Sequence, residues 1–229
     1  MRRIIGPALM LIAATSPLLG QRAAGRRSGL REVRDGGSVG LTFVVAQPLG
    51  EFRRNGDYAA GLTGFAVVGL NRGAGVGLRI DGAYMVYDAA YFAYDVSSTS
   101  SIGTLAIGPQ ITVGQGPLRL YGFGTVGGSM FWTSASYGGS CGCYDSDVFF
   151  LDGHFTTTTQ VGAGMLITVS QRHSPVAIDI GVRNVRHDRV TYVPANGFTD
   201  NGDGTFSAQR VTTPVQLRVF QVGVSVGIR

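Results

Sequence analysis

Large apolar residues alternate with small or polar ones along most of the chain. The final stretch, "VFQVGVSVGIR", sets Phe220, Val222, Val224, Val226 and Ile228 against Gln221, Gly223, Ser225 and Gly227. A period of two over this length predicts a β-strand with two unlike faces. Eight such segments follow one another, at 38–47, 60–70, 75–87, 100–114, 118–132, 156–169, 176–187 and 213–229. Their connections are of two kinds. "NRGA", "QGP" and "SQRHSP" predict tight turns after the second, fourth and sixth segments. Longer stretches, at 48–59, 88–99, 133–155 and 188–212, follow the first, third, fifth and seventh. In an antiparallel meander this alternation collects every long loop at one end.

The parity within segments assigns the faces. In 75–87, Val76, Leu78, Ile80, Tyr84 and Val86 oppose Gly77, Arg79, Asp81, Ala83, Met85 and Tyr87. In 176–187, Val176, Ile178, Ile180 and Val182 oppose Ala177, Asp179, Gly181 and Arg183. One face is continuous Val, Ile and Leu; the other is glycine, alanine and threonine with single charges of both signs. A water-facing surface would carry more charge. The second face instead suits a crowded interior, which places the apolar face outward, against lipid. An eight-stranded barrel has an interior just wide enough for side chains to fill.

Composition agrees with that orientation. Only 14% of the 229 residues are charged, against about 25% in ordinary soluble domains, and 36 are glycine. Residues 1–37 hold seven arginines against Glu32 and Asp35, while the remaining twelve arginines are matched by twelve acidic residues. The body is therefore neutral, which argues against a nucleic-acid partner. "MRRIIGPALMLIAATSPLLG" reads as a secretory signal peptide, assigned to 1–22, with a basic start and an apolar stretch too short to span a bilayer as a helix. Residues 23–37 read as a flexible leader. The expected body, 38–229, is all-β: an eight-stranded antiparallel up-and-down transmembrane β-barrel. A closed barrel satisfies every backbone group in lipid, and short turns at one end with long loops at the other are the habit of bacterial outer-membrane barrels.

On strand number, loop asymmetry, glycine runs such as "YGFGTVGGS" and the amphipathic last strand, residues 38–229 resemble the eight-stranded outer-membrane barrels of the OmpA/OmpX type. The resemblance implies residence in the cell outer membrane of a Gram-negative-type bacterium, among its lipids. It also implies insertion by the barrel-assembly machinery and an extracellular ligand, if any, met by the loops. The family usually ends in an aromatic residue; this chain ends in Arg229, with Ile228 and Phe220 nearest to that role.

Candidate chemistry is sparse. Arg79, Asp81, Asp179 and Arg183 share the inward parity, and buried charges must pair, so a structural lumen network with Gln110, Gln160 and Gln221 is expected. Cys141 and Cys143, the only cysteines, suit a local loop disulfide or free thiols better than a metal site with Asp145 and His154. "DNGDG" at 200–204 has alternating oxygen ligands, but Val211 stands where a calcium loop of the EF-hand kind requires glutamate. The sequence asks for no cofactor and no metal. Some outer-membrane barrels are lipid A deacylases with a surface His–Ser pair. His154, His173 and His187 are the only histidines here, and His187, beside Asp188, has no serine close by on its face. It reads as a rim histidine. Tyr84, Tyr87, Tyr91, Phe92, Tyr94, Phe131 and Trp132 read as an interfacial aromatic girdle. The expected function is structural or surface interaction, without catalysis, through the four long loops. A lipid-modifying enzyme and a narrow channel are the rivals.

Overall fold

The computed structural model describes residues 36–228, apart from 55–57, 71–74, 93–95, 115, 138–147, 171–173, 193–197 and 201–205. The expected signal peptide and all but the last two residues of the leader lie outside the described residues. Eight long strands are β1 (Gly37–Leu49), β2 (Ala59–Gly69), β3 (Val76–Phe92), β4 (Val96–Val113), β5 (Leu118–Tyr137), β6 (Val148–Ser170), β7 (Val176–Tyr192) and β10 (Val211–Ile228). They close into one barrel in the order β1-β10-β7-β6-β5-β4-β3-β2, every neighbouring pair antiparallel. Short β8 (Phe198–Asp200) and β9 (Phe206–Ala208) pair separately, inside the last expected loop.

The register fixes the tilt. Partners run from Gln216 to Arg186, Thr159, Val126, Ile107, Ile80, Ala66 and Val39, and return to β10 at Val226, ten residues further along. A closed sheet with such a stagger must incline its strands to the barrel axis, typically by about 35–45°. The tight turn between β4 and β5 depends on two glycines, Gly114 (φ 106°) and Gly116 (φ 91°), in a region that side chains with a Cβ avoid.

Alternating burial follows the parity read from sequence. Leu41, Phe43, Ile80, Leu105, Ile180 and Phe220 face out and are substantially exposed, whereas Thr42, Val44, Arg79, Asp81, Asp179 and Gln221 face in and are buried. So large an exposed apolar surface is a poor match to water and a good one to lipid.

The strands outrun the apolar pattern, which corrects the expected loop boundaries. β5 and β6 pair from Phe131–His154 up to Ser136–Val148, so much of the loop expected at 133–155 is ladder. Likewise β3 and β4 pair up to Phe92–Val96, within the loop expected at 88–99. The physical reason is local. Alternation marks only the part of a strand whose outer face is apolar, and "SSTSS" (97–101) pairs with 132–136 with no such face.

Charge on the outward face should therefore cost far more than charge outside the barrel wall. Ile180→Arg should destabilise by about 2–4 kcal/mol near a bilayer midplane, while Gln209→Arg, at an exposed position, should be close to neutral. Refolding titrations in liposomes check this; equal small effects would show that position 180 does not meet lipid.

Candidate functional site: the barrel interior

One inward layer is polar. Arg79 on β3 donates from Nε to Asp81 Oδ2 at 2.8 Å, from Nη2 to Asp81 Oδ1 at 2.8 Å, and from Nη1 to Gln110 Oε1 at 2.9 Å. Its guanidinium lies between the rings of Phe65 and Phe123, 4.2 and 4.3 Å from their centroids. A planar, weakly hydrated cation can be desolvated between two aromatic faces, where an ammonium would suit less well. Arg183 on β7 reaches the same carboxylate from across the bore, Nη1 to Asp81 Oδ1 at 3.6 Å. It also donates to Gln160 Oε1 at 3.2 Å and to Thr63 Oγ1 at 2.5 Å. Asp81 thus serves two arginines.

Asp179 stands apart from that pairing. Its Oδ1 accepts from the Tyr121 hydroxyl at 2.6 Å, and Gln221 Nε2 donates to the Tyr121 oxygen at 2.9 Å and to Asp179 Oδ2 at 3.5 Å. Of the four charged residues singled out by sequence, three meet directly. The fourth is held by a phenol and an amide. Tyr121, Phe65, Phe123 and Thr63 complete this layer; none carries a charge, so nothing within one strand marks them as partners of the buried ions.

Inward glycines make room for these rings. A Cβ on Gly164 would fall 2.4 Å from the Tyr121 hydroxyl oxygen, one on Gly162 2.7 Å from the Phe123 ring, and one on Gly40 2.3 Å from the Phe65 ring. The small face of each strand is a set of sockets for a neighbour's large side chain.

Towards the end of the barrel that carries the long connections, the interior becomes apolar. Val44, Met85, Ile102, Val185, Leu217 and Val219 pack there, all buried. A 3-10 turn, Phe52–Arg54, in the connection after β1 lays Phe52 on this layer. Its ring is fully buried, 5.7 Å from Tyr87 and 5.4 Å from Tyr192 between centroids. This corrects the expected girdle in part. Tyr84 faces out and Trp132 is half-buried beside it, but Tyr87 and Phe131 turn inward and belong to the apolar layer. The side chains of Tyr91 and Phe92, and the whole of Tyr94, lie outside the described residues. His187 is likewise no rim residue: it is buried edge-on against Phe131 at 5.0 Å, with no hydrogen-bond partner for either ring nitrogen among the described residues.

No family model and no curated protein matches the sequence. By structure, the chain is similar to Neisserial surface protein A, with 12% identity, 84% of this chain and 97% of that one covered, and a TM-score of 0.50. The fold is that of the eight-stranded outer-membrane barrels. Similarity extends to the Yersinia pestis attachment invasion locus protein Ail, solved with a heparin analogue (12% identity, coverage 84% and 96%, TM-score 0.45). It extends also to a major outer membrane protein of Thermus thermophilus (12%, 82% and 98%, 0.46).

Within this barrel fold the remaining motifs separate. His187 faces the bore while Asp188 is exposed outside, where its Oδ2 accepts from Thr157 Oγ1 at 2.9 Å, so the two are no catalytic pair. His154 is half-buried on β6. Among the described residues no group of three or more His, Cys, Asp or Glu could hold a metal. Cys141, Cys143, Asp145, His173 and residues 201–204 lie outside the described residues.

Because one carboxylate answers two buried guanidiniums, Asp81→Ala should destabilise by about 3–5 kcal/mol, and Asp179→Asn, which keeps an acceptor for Tyr121, by less. Urea unfolding from vesicles measures both; equal losses would deny Asp81 its central place. Gly164→Val should cost about 1–3 kcal/mol by crowding both the Tyr121 ring and the Ile180 backbone carbonyl. In the double variant with Tyr121→Ala, which empties that socket, part of the loss should return.

Proposed function

We propose that this chain is a bacterial outer-membrane protein, exported by a cleaved signal peptide at 1–22, whose barrel is a closed anchor and whose work is surface interaction. The carrying observation is the filled bore. A charge-balanced polar layer (Arg79, Asp81, Asp179, Arg183) lies in series with an apolar layer stopped by Phe52. A solute would have to break both. The four inward charges are here a structural plug rather than a conducting path.

Activity then falls to the far end, to the strand ends and connections together within 48–59, 88–99, 133–155 and 188–212. Their composition supports recognition: "DAAYFAYDVSST" and "SASYGGSCGCYDSDVFF" are rich in tyrosine, phenylalanine, serine and glycine, the residues of adaptable binding loops. The inward His187 and its outward neighbour Asp188 favour this reading over lipid hydrolysis.

The protein should fractionate with outer membranes and migrate differently on unheated and heated gels, because a closed barrel resists detergent. In planar bilayers it should give no sustained unitary conductance, and with lipid A or phospholipid no released fatty acid. Recovery as a soluble periplasmic monomer would overturn the localisation; a stable open channel would overturn the plug.

A further inference from the structure

The outward face of the barrel differs from side to side. On β7 and β10 its large apolar residues stop at Val182 and Phe220, which are partners in the ladder. The next outward residues are Asn184 and Arg186 on β7, followed by Asp188 and Arg189, and Arg218 and Gln216 on β10. Across the barrel, the outward surface is apolar around Tyr84, Met130, Trp132 and Phe155, which border a groove of about 600 Å³. The cationic patch is thus local.

Its arginines are close together. Arg186 pairs with Gln216 and Arg218 with Asn184, which makes the two arginines diagonal neighbours on one face, about 7–8 Å apart at their bases. Arg189 stands opposite Pro214, one step further out. All three are exposed, and among the described residues none is in an ion pair. Arg218 Nε donates to Asn184 Oδ1 at 3.3 Å, which aims it along the strand pair. The nearby carboxylate, Asp188, accepts from Thr157 on β6. In the bore every arginine is answered by a carboxylate or amide. Here like charges adjoin with one amide, Asn184, against Arg218 and no carboxylate paired to them, an arrangement that an anion would relieve.

We propose that this rim binds the phosphate-bearing headgroup of an outer-leaflet lipid, with Arg186 and Arg218 clasping a phosphate and Arg189 above them. This rests on the membrane reading given above. Guanidinium forks match phosphate oxygens bidentately. The site continues directly into the outward row Val182, Ile180, Phe220 and Val222, against which the acyl chains of the same lipid lie. The two halves of the surface match the two halves of one amphipathic molecule.

The test uses the full mature chain refolded into phosphatidylcholine vesicles that contain either bis-phosphorylated lipid A or its dephosphorylated form. After extraction in mild detergent, co-purifying lipid is measured by mass spectrometry. Wild type should retain the phosphorylated lipid about tenfold over the dephosphorylated one, the preference shrinking as salt is raised. R186Q/R218Q should lose that preference while keeping its heat-modifiable gel mobility, and R53Q, a change at another exposed arginine, should keep it. Insertion without a preference in wild type, or a preference that survives in R186Q/R218Q, overturns the lipid site alone. Failure to enter either kind of vesicle overturns the membrane reading and the lipid site with it.

Discussion

The width of an eight-stranded bore governs what the interior can hold. Strand number and stagger fix that width, and the ten-residue displacement around the ring leaves one column of space into which every inward side chain must fit. Two guanidiniums in such a column cannot be hydrated, so each must find its partners inside the protein. Asp81 answers both, the rings of Phe65 and Phe123 cover Arg79, and Gln110, Gln160 and Thr63 take further N–H groups, while Arg183 Nε has no hydrogen-bond partner among the described residues. The glycines opposite those rings follow from the same limit. Volume given to an aromatic on one strand is taken from its neighbour.

The two layers divide the work. The polar layer ties β2, β3, β4, β6 and β7 together through directional contacts, which oppose slippage of register. The apolar layer closes the mouth by packing and brings Phe52, from the connection after β1, against Tyr192 near the end of β7. A connection that contributes a buried aromatic is part of the core, whatever its neighbours bind.

Much of this was legible in the chain. Parity identifies inward and outward faces correctly in β3, β7 and β10, because a period of two survives whatever the neighbours do. Alternating connection lengths gave the meander. Height along the axis was not legible, since it depends on the stagger between strands, and one strand carries no record of it. That is why Asp179 reads as an arginine's neighbour when Tyr121 and Gln221 hold it. Tyr87 and Phe131 read as girdle residues from their place near strand ends, although the parity of β3 already sets Tyr87 inward with Arg79 and Asp81. Polar strand ends such as Ser97–Ser101 were hidden for another reason: with no apolar face to alternate, only the partner strand defines them.

β1 pairs with β2 along one edge and with β10 along the other, so that Gly37 lies opposite both Val68 and Ile228. Val44 of β1 and Val219 of β10, on either side of this seam, both belong to the apolar layer. Until the seam shuts, an open sheet in lipid carries two rows of unanswered N–H and C=O groups. Its plug is also incomplete, lacking one wall. A single joining event therefore ends both deficits, and a half-built ring has neither a satisfied backbone nor a packed centre to rest on. Assembly of this wall is all-or-none in its energetics: the last contact made is the one that gives every earlier contact its full value.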